Sequence, residues 1–586
     1  MSASVPTSTP STLRGWRVAA IAGVAILAVA AGVAAGGFLL TSRPAGVGGA
    51  AAWVPSDAAF YLELRVEPSE TQDAALREIL ARFPAIEELD LERPLTEQLG
   101  EHLDQMLAEE GAEVSWSEDV EPWFDGRVAI AVPELPAGVM APTMDAMTAA
   151  DAPDVVMLVG VTDRAAAEHS IDRIIAEAEM REPMSFSETE HAGVTIHVAE
   201  GDEGAWALTD DQLLLGASAD AIRGAIDAHE DAGTTLAEAD HVADLAAQLP
   251  SDWLAFGVYD FTDAVSASFD AAAEASPAIS EAFRDLMDGQ PLRGAMAMSA
   301  EGDRLAFESV SAAPTGDLAA VNADRGLAAE VPADALYYAE GGNIGRSLQA
   351  VIGPMKEAIS ASPEGAEQLR TFEAAIGVDA EELVSWIGDG AMAVGWDGAE
   401  AYAGMVLVPT DVDAASRRLG QLTTFASLGA MDPEAGITVE ESTVAGADVT
   451  TIRWADPGSQ ELGELGPSAV SVQYTVTDDR AVIGFGEQFV GRVLELEAAD
   501  SLASQARYTD AVAALGGASN AGVTWLDITG VRAAVEAAMG PMLDAADPEG
   551  TYETEIAPWL APLDRLVSVV RVEGDLLVQQ GALLVE

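Results

Sequence analysis

Two tryptophan–carboxylate pairs are the first residues here with a chemistry to offer. Trp123 and Asp125 stand in "WFDGRVAIAV", and Trp386 and Asp389 in "WIGDGAMAVGW". An aromatic ring beside a carboxylate binds a sugar or a cation. The same spacing also suits a packed indole followed by an Asp-Gly turn, so both readings stand. A third group is Met140, Met144 and Met147, spread along the Pro-rich stretch "PELPAGVMAPTMDAMTAADAP" from Pro133. Methionines on a loop make an adaptable contact surface for a partner or a lipid, against the plainer reading of a solvated insertion. Six histidines, His102, His169, His191, His197, His229 and His241, all fall in the first half. His191 and His197 flank a hairpin element, "AGVTI", close enough for a zinc site or a hydrolytic pair.

Stronger constellations are missing. The sequence holds no GxSxG, HExxH, SxxK or Walker motif, and its single lysine, Lys356 in "GPMKEA", has no Gly-rich cradle. With no cysteine, disulfides, zinc–thiolate sites, iron–sulfur clusters and thiol nucleophiles are excluded. A net charge of −70 repels phosphate backbones, so nucleic acid is not an expected partner. "TDD" at Thr209 and again at Thr477 offers paired carboxylates, but no DxDxDG-type loop supplies the six to eight oxygens that Ca²⁺ needs, and a tight turn is the expected reading. No catalytic, cofactor-binding or metal-ligating residue is therefore expected, and the balance leans away from an enzyme.

The elements that must carry these residues are written twice. "TDDQLLLGASADAIRGAI" from Thr209 returns as "TDDRAVIGFGEQFVGRVL" from Thr477, and "VPSDAAFYLEL" from Val54 as "VPADALYYAEG" from Val331. "MLVGVTDRAAA" at Met157 matches "MVLVPTDVDAA" at Met405, and "PLRGAMAMSAEGDRLAFES" from Pro291 matches "PLDRLVSVVRVEGDLLVQQ" from Pro562. Landmarks recurring in one order mark an internal duplication. Residues 52–314 and 327–586 are read as two copies joined by 315–326. In each, a capped amphipathic helix (Ser69–Gln72, then Leu76, Ile79, Leu80 and Phe83 on one face) and strands joined by short turns predict an α+β fold, an antiparallel sheet covered by helices.

Ahead of the copies, Val18–Leu40 is uncharged over about 23 residues, roughly 34 Å as a helix and enough to cross a bilayer. Arg14 and Arg17 before it and Arg43 after it favour a cytoplasmic tail at 1–17 and a chain exported beyond a tether at 41–51. Gly32 and Gly36 form a GxxxG pair through which two such helices can dimerise.

The opening "VPSDAAFYLELRVEPSETQDAALREILARFPAIEEL", the "WFDGRVAIAVPELP" stretch and the TDD phrase resemble the domain of unknown function 3352 family. That resemblance implies a membrane-anchored bacterial envelope protein and transfers no catalytic residue. Together these features lead to the expectation of a single-pass protein of the cell membrane, mostly extracytoplasmic. Its expected role is a non-catalytic binding or scaffolding module for an unknown envelope protein or lipid. The alternatives are a lipid or polypeptide carrier with an apolar groove between sheet and helices, and an envelope hydrolase using carboxylates.

Overall fold

Period-two strands and two-residue turns fold this chain into two units. The computed structural model describes residues 48–586 apart from 85–89, 110, 136–153, 182–184, 200–203, 232–234, 276, 288–289, 291, 432–435, 456–468 and 547–551. One unit runs to Ser268 and takes in Leu292–Ser311; the other comprises Phe269–Pro291 and Ala312–Glu586.

The first unit holds strands β1 (Phe60–Arg65), β2 (Phe124–Val132), β3 (Val156–Val161), β4 (Phe186–His191), β5 (Val194–Ala199), β6 (Ala205–Leu208), β7 (Gln212–Gly216), β8 (Ala255–Asp260), β9 (Arg293–Glu301) and β10 (Arg304–Ala312). They lie in the order β4-β5-β6-β7-β3-β2-β1-β8-β9-β10, every neighbouring pair antiparallel. The second unit holds β11 (Ala335–Gly341), β12 (Ile387–Trp396), β13 (Ala401–Pro409), β14 (Ile437–Val444), β15 (Ala447–Ala455), β16 (Ala469–Val476), β17 (Ala481–Phe485), β18 (Gly522–Asp527), β19 (Leu563–Glu573) and β20 (Leu576–Val585). Their order, β14-β15-β16-β17-β13-β12-β11-β18-β19-β20, is the same with ten added to each label, and again wholly antiparallel. The mixed α+β class is thus what the residues build.

Local chemistry accounts for the turns. In "TDD" the Thr209 amide donates to the Gln212 carbonyl (2.9 Å) while its hydroxyl accepts from the Gln212 amide (3.0 Å). Thr477 does the same with Arg480, at 2.8 and 3.2 Å. Both "AG" hairpins hold their alanine at positive φ, 48° at Ala192 and 49° at Ala445. That is the left-handed conformation which a two-residue hairpin imposes and which a Cβ resists. Asp125-Gly126 and Asp389-Gly390, expected as turns, sit instead inside β2 and β12, where the pairing register shifts. An Asp-Gly sequence serves a bulge as well as a turn, because Gly126 takes φ 82° there.

The helices that matter below are α1 (Glu70–Leu80), α2 (Leu95–Glu109) and α3 (Arg164–Arg181) in the first unit. In the second unit they are α4 (Pro277–Met287), α5 (Ile344–Ser360), α6 (Pro363–Ile376) and α7 (Val412–Gly429). Helix α1 starts where its cap predicts: the Ser69 hydroxyl accepts from the Gln72 amide, and Leu76, Ile79 and Leu80 are buried. In the second unit alternation divides the sheet between two layers. Val406 and Val482 point into the main core with Tyr338, Phe489, Trp525 and Val569, while Leu407, Ala481 and Ile483 point to α7.

One expectation is corrected outright. Among the described residues no helix is long and apolar enough to cross a membrane. The segment 18–40 itself, with Gly32 and Gly36, lies outside the described residues. The N-terminal transmembrane helix, dimerisation through it, the single-pass topology with its cytoplasmic tail, and anchoring to the cell membrane are accordingly withdrawn from the account of fold, partners and location. A run of apolar residues in sequence satisfies the length criterion for a span without establishing one.

Candidate functional site: an apolar cavity in the second unit

Strand register assembles the site. Ile437 pairs with Trp454, Ile452 with Val472, and Tyr474 with Ile483, which in turn pairs with Met405. Directly paired residues share a face, so β14, β15, β16, β17 and β13 present one continuous apolar surface. Over it lies α7, started by the Asp411 carboxylate, which accepts from the Ala414 amide (3.0 Å). Its first half closes tightly on the sheet, where Ala415 and Leu419 are buried against Trp386 and Leu407. Its second half rests on β14, with Gly429 close to Ile437, and leaves a gap over β15 and β16. Between Leu422, Phe425, Ala426 and Leu428 on the helix and Ile452, Trp454, Val472 and Tyr474 on the strands lies a cavity of about 450 Å³, with Ala375 of α6 at one side.

No charged side chain lines this cavity. Its one hydroxyl, that of Tyr474, donates to the Leu419 carbonyl (3.2 Å) and is bonded to Thr423 as well. A phenol already satisfied in this way asks nothing of a ligand. What remains is dispersion and apolar burial, the terms that hold a hydrocarbon chain.

In the first unit the corresponding helix is tied down differently. Thr162 and Thr410 are structural equivalents, since their amides donate to the carbonyls of Trp123 (2.7 Å) and Trp386 (2.8 Å). Counting from them, Ile171 matches Leu419, Ile174 matches Leu422, and Glu177 matches Phe425. Glu177 is buried and accepts from the amides of Glu113 (2.9 Å) and Val114 (3.1 Å), tying α3 to the segment after α2. Ile171 and Ile174 are buried on this helix, and Trp206, with His197 stacked on it, packs from the strands on the same side. Phe425 makes no such tie by its chemistry, and its ring is 44% exposed.

The residues singled out from the sequence lie elsewhere. Trp123 is buried, and its indole N–H donates to the Asp119 carbonyl (2.6 Å). Asp125 pairs with Arg127 (2.6 Å). Trp386 is buried too, donating to the Leu383 carbonyl (2.9 Å), while Asp389 accepts from Arg325 (3.1 Å) and from the Asn343 amide (3.1 Å). Both indoles thus pack as core, and both carboxylates are engaged within the fold. Met140, Met144 and Met147 lie outside the described residues. His191 and His197 take separate partners. His191 Nε2 meets Asp227 (2.6 Å), and His197 stacks on Trp206 (3.9 Å between centroids), where burial pushes its pKa down. Among the described residues no group of three or more His, Asp or Glu could hold a metal ion.

A pair of buried carboxylates went unread in the sequence. Glu63 accepts from the Gly48 amide (3.0 Å) and the Tyr61 hydroxyl (2.7 Å). Glu340 accepts from the amides of Gly326 (3.1 Å) and Leu327 (3.2 Å) and from the Tyr338 hydroxyl. Burial pushes both carboxyls above the usual range, against the pull of those hydrogen bonds. Each pair pins the chain entering its unit to the first strand. The signal was present as a repeated Tyr-x-Glu at inward-facing positions of β1 and β11.

The fold and site together define a class: a cysteine-free α+β protein of two like-ordered antiparallel sheets, one of which leaves an apolar cavity beneath its helix. The chain belongs to the family described as "Protein of unknown function (DUF3352)", whose model matches residues 19–561. No curated protein matches the sequence. Among solved structures the chain is similar to crystal form I of TP0453, at 7% identity and a TM-score of 0.22, covering 45% of this chain and 79% of that one. Crystal form III of TP0453 gives 8% and 0.21, covering 47% and 82%. Likeness at that level carries no argument for function.

Proposed function

We propose that this protein is a carrier for an apolar ligand, that the ligand is a lipid, and that its hydrocarbon chain occupies the cavity beneath α7. This replaces the expectation of a membrane-anchored scaffold, which loses its anchor, with the carrier alternative. The observation that carries it is the cavity: about 450 Å³, charge-free, between helix and sheet. Pockets for small organic ligands run from about 300 to 1,000 Å³ and are mainly apolar. Supporting the reading of 52–314 and 327–586 as copies of one unit is their shared strand order, with the second copy adapted to hold the ligand.

The test is titration of the full chain with a fluorescent polyene fatty acid, followed by displacement with unlabelled fatty acids of graded length. Each methylene moved from water into the cavity contributes about 0.8 kcal/mol, so shortening the chain by two carbons weakens binding roughly tenfold. Ala426→Phe, which fills the cavity from the helix side, abolishes uptake while thermal stability is kept. Absence of saturable uptake, or uptake indifferent both to chain length and to Ala426→Phe, sinks the proposal.

A further inference from the structure

Exposed large apolar side chains are distributed unevenly. Among the described residues, Met180 is the only one on the first unit; all the others belong to the second. Several are grouped on three helices of its cavity side. On α5, Leu348, Val351, Met355 and Ile359 recur at helical spacing, each 37–46% exposed. Phe372 on α6 is 43% exposed; Phe425 and Leu428 on α7 are 44% and 56%, and Met431 just beyond it is 79%. Helix α6 packs against both α5 and α7, so the three helices are neighbours.

Charge sets this surface apart from the rest of the chain. In a protein of net charge −70, Gly420 to Met431 carries no charged residue, nor does Ser347 to Met355. The matching end of α3 carries Asp172, Arg173, Glu177, Glu179 and Arg181. Helix α6, between α5 and α7, keeps Glu364, Glu367, Arg370 and Glu373, the last paired with Lys356 of α5 (3.4 Å), so the charge-free stretches are those of α5 and α7. Such an apolar patch, beside a cavity for a hydrocarbon chain, is suited to a partner that is itself apolar beneath a neutral exterior. A second copy of this chain brings another −70 charges and is repelled. An anionic lipid surface is repelled for the same reason.

From these features we infer that α5, α6 and α7 of the second unit dock on an uncharged, zwitterionic lipid surface, from which the cavity takes its ligand. This rests on the carrier reading for its purpose, while its physical basis is the patch. Phe425 and Leu428 both line the cavity and face outward, so a chain passing from a bilayer to the cavity stays against apolar atoms throughout.

The absence of cysteine makes the test direct. Single substitutions Met431→Cys and Phe372→Cys, neither at a cavity-lining residue, carry an environment-sensitive fluorophore on the full chain, with Met180→Cys as the control on the first unit. Phosphatidylcholine vesicles produce a blue shift at positions 431 and 372 and none at 180, and phosphatidylglycerol vesicles at low salt produce a smaller one. Unlabelled Met431→Glu/Phe372→Glu loses the slowing of amide exchange that phosphatidylcholine vesicles confer on α7. No shift at 431 and 372, an equal shift at 180, or a shift that arises on concentrating the protein without vesicles overturns the inference. Uptake of the polyene fatty acid is measured separately without vesicles. Shifts without uptake remove the carrier reading and leave docking standing; uptake without shifts removes docking alone.

Discussion

At the scale of single residues, the buried carboxylates set how stability varies with pH. Burial raises the pKa of Glu63 and Glu340 in the folded protein, so between the ordinary carboxylate value, about 4.3, and the raised one the folded state holds more protons than the unfolded chain. The stability they confer is full below that ordinary value and is lost as pH rises through the raised one. Glu63→Gln with Glu340→Gln flattens this part of the profile, read by chemical denaturation at a series of pH values; an unchanged slope removes the linkage. Glu340→Ala is harsher, because the buried Leu327 amide loses its acceptor at about 1–3 kcal/mol, while the Gly326 amide, on an exposed residue, loses one at less cost. Relief is available at the hairpins. Ala192 and Ala445 sit at positive φ, so replacing either by Gly raises stability by up to about 1 kcal/mol, checked by thermal melts of the single and double variants.

At the scale of elements, what the sequence made legible was local and what it hid was long-range. The order of strands and helices could be read because each "TDD", "AG" or Gly-Asp turn has its own chemistry, and writing it twice doubled the signal. The Asp-Gly bulges misled because the same dipeptide serves a turn and a bulge, and only the pairing of β2 with β3 and of β12 with β13 decides between them. The cavity was foreseeable as a possibility but not as a location. Its existence depends on how α7 lies over a face assembled from five strands, and on one exchange, Glu177 for Phe425, visible only once the two helices are laid in register. That exchange carries a prediction. Helix α3 is held at its far end by Glu177 and α7 overhangs a cavity, so amides in the last two turns of α7 exchange faster than their counterparts in α3. Glu177→Ala removes the acceptor of two amides and raises exchange in α3 toward the α7 level; equal protection of the two helices in the unaltered protein removes the argument.

At the scale of the whole molecule, the repeated strand order and the charge act on different problems. Two units of one strand order allow the first to hold α3 down through Glu177, over buried Ile171 and Ile174, while the second gives up core volume for a cavity. Leaving such a space unfilled costs stability in proportion to its size, and ligand returns it, since whatever binds only the folded state stabilises it by mass action. The melting temperature of the full chain therefore rises on adding a fatty acid that enters the cavity, and the rise vanishes in Ala426→Phe. Charge works across the entire surface instead. With 98 acidic residues against 28 basic ones, repulsion opposes the compact state more than the expanded one. Ions screen that repulsion over a length that falls from about 30 Å at 0.01 M salt to about 8 Å at 0.15 M. The melting temperature consequently climbs with sodium chloride, most steeply over that interval, and does so equally in the wild type and in Ala426→Phe, because the repulsion is spread over the chain and the cavity has no part in it. A melting temperature indifferent to salt places the excess acids too far apart to interact, and the argument against self-association of the α5–α7 surface then fails with it.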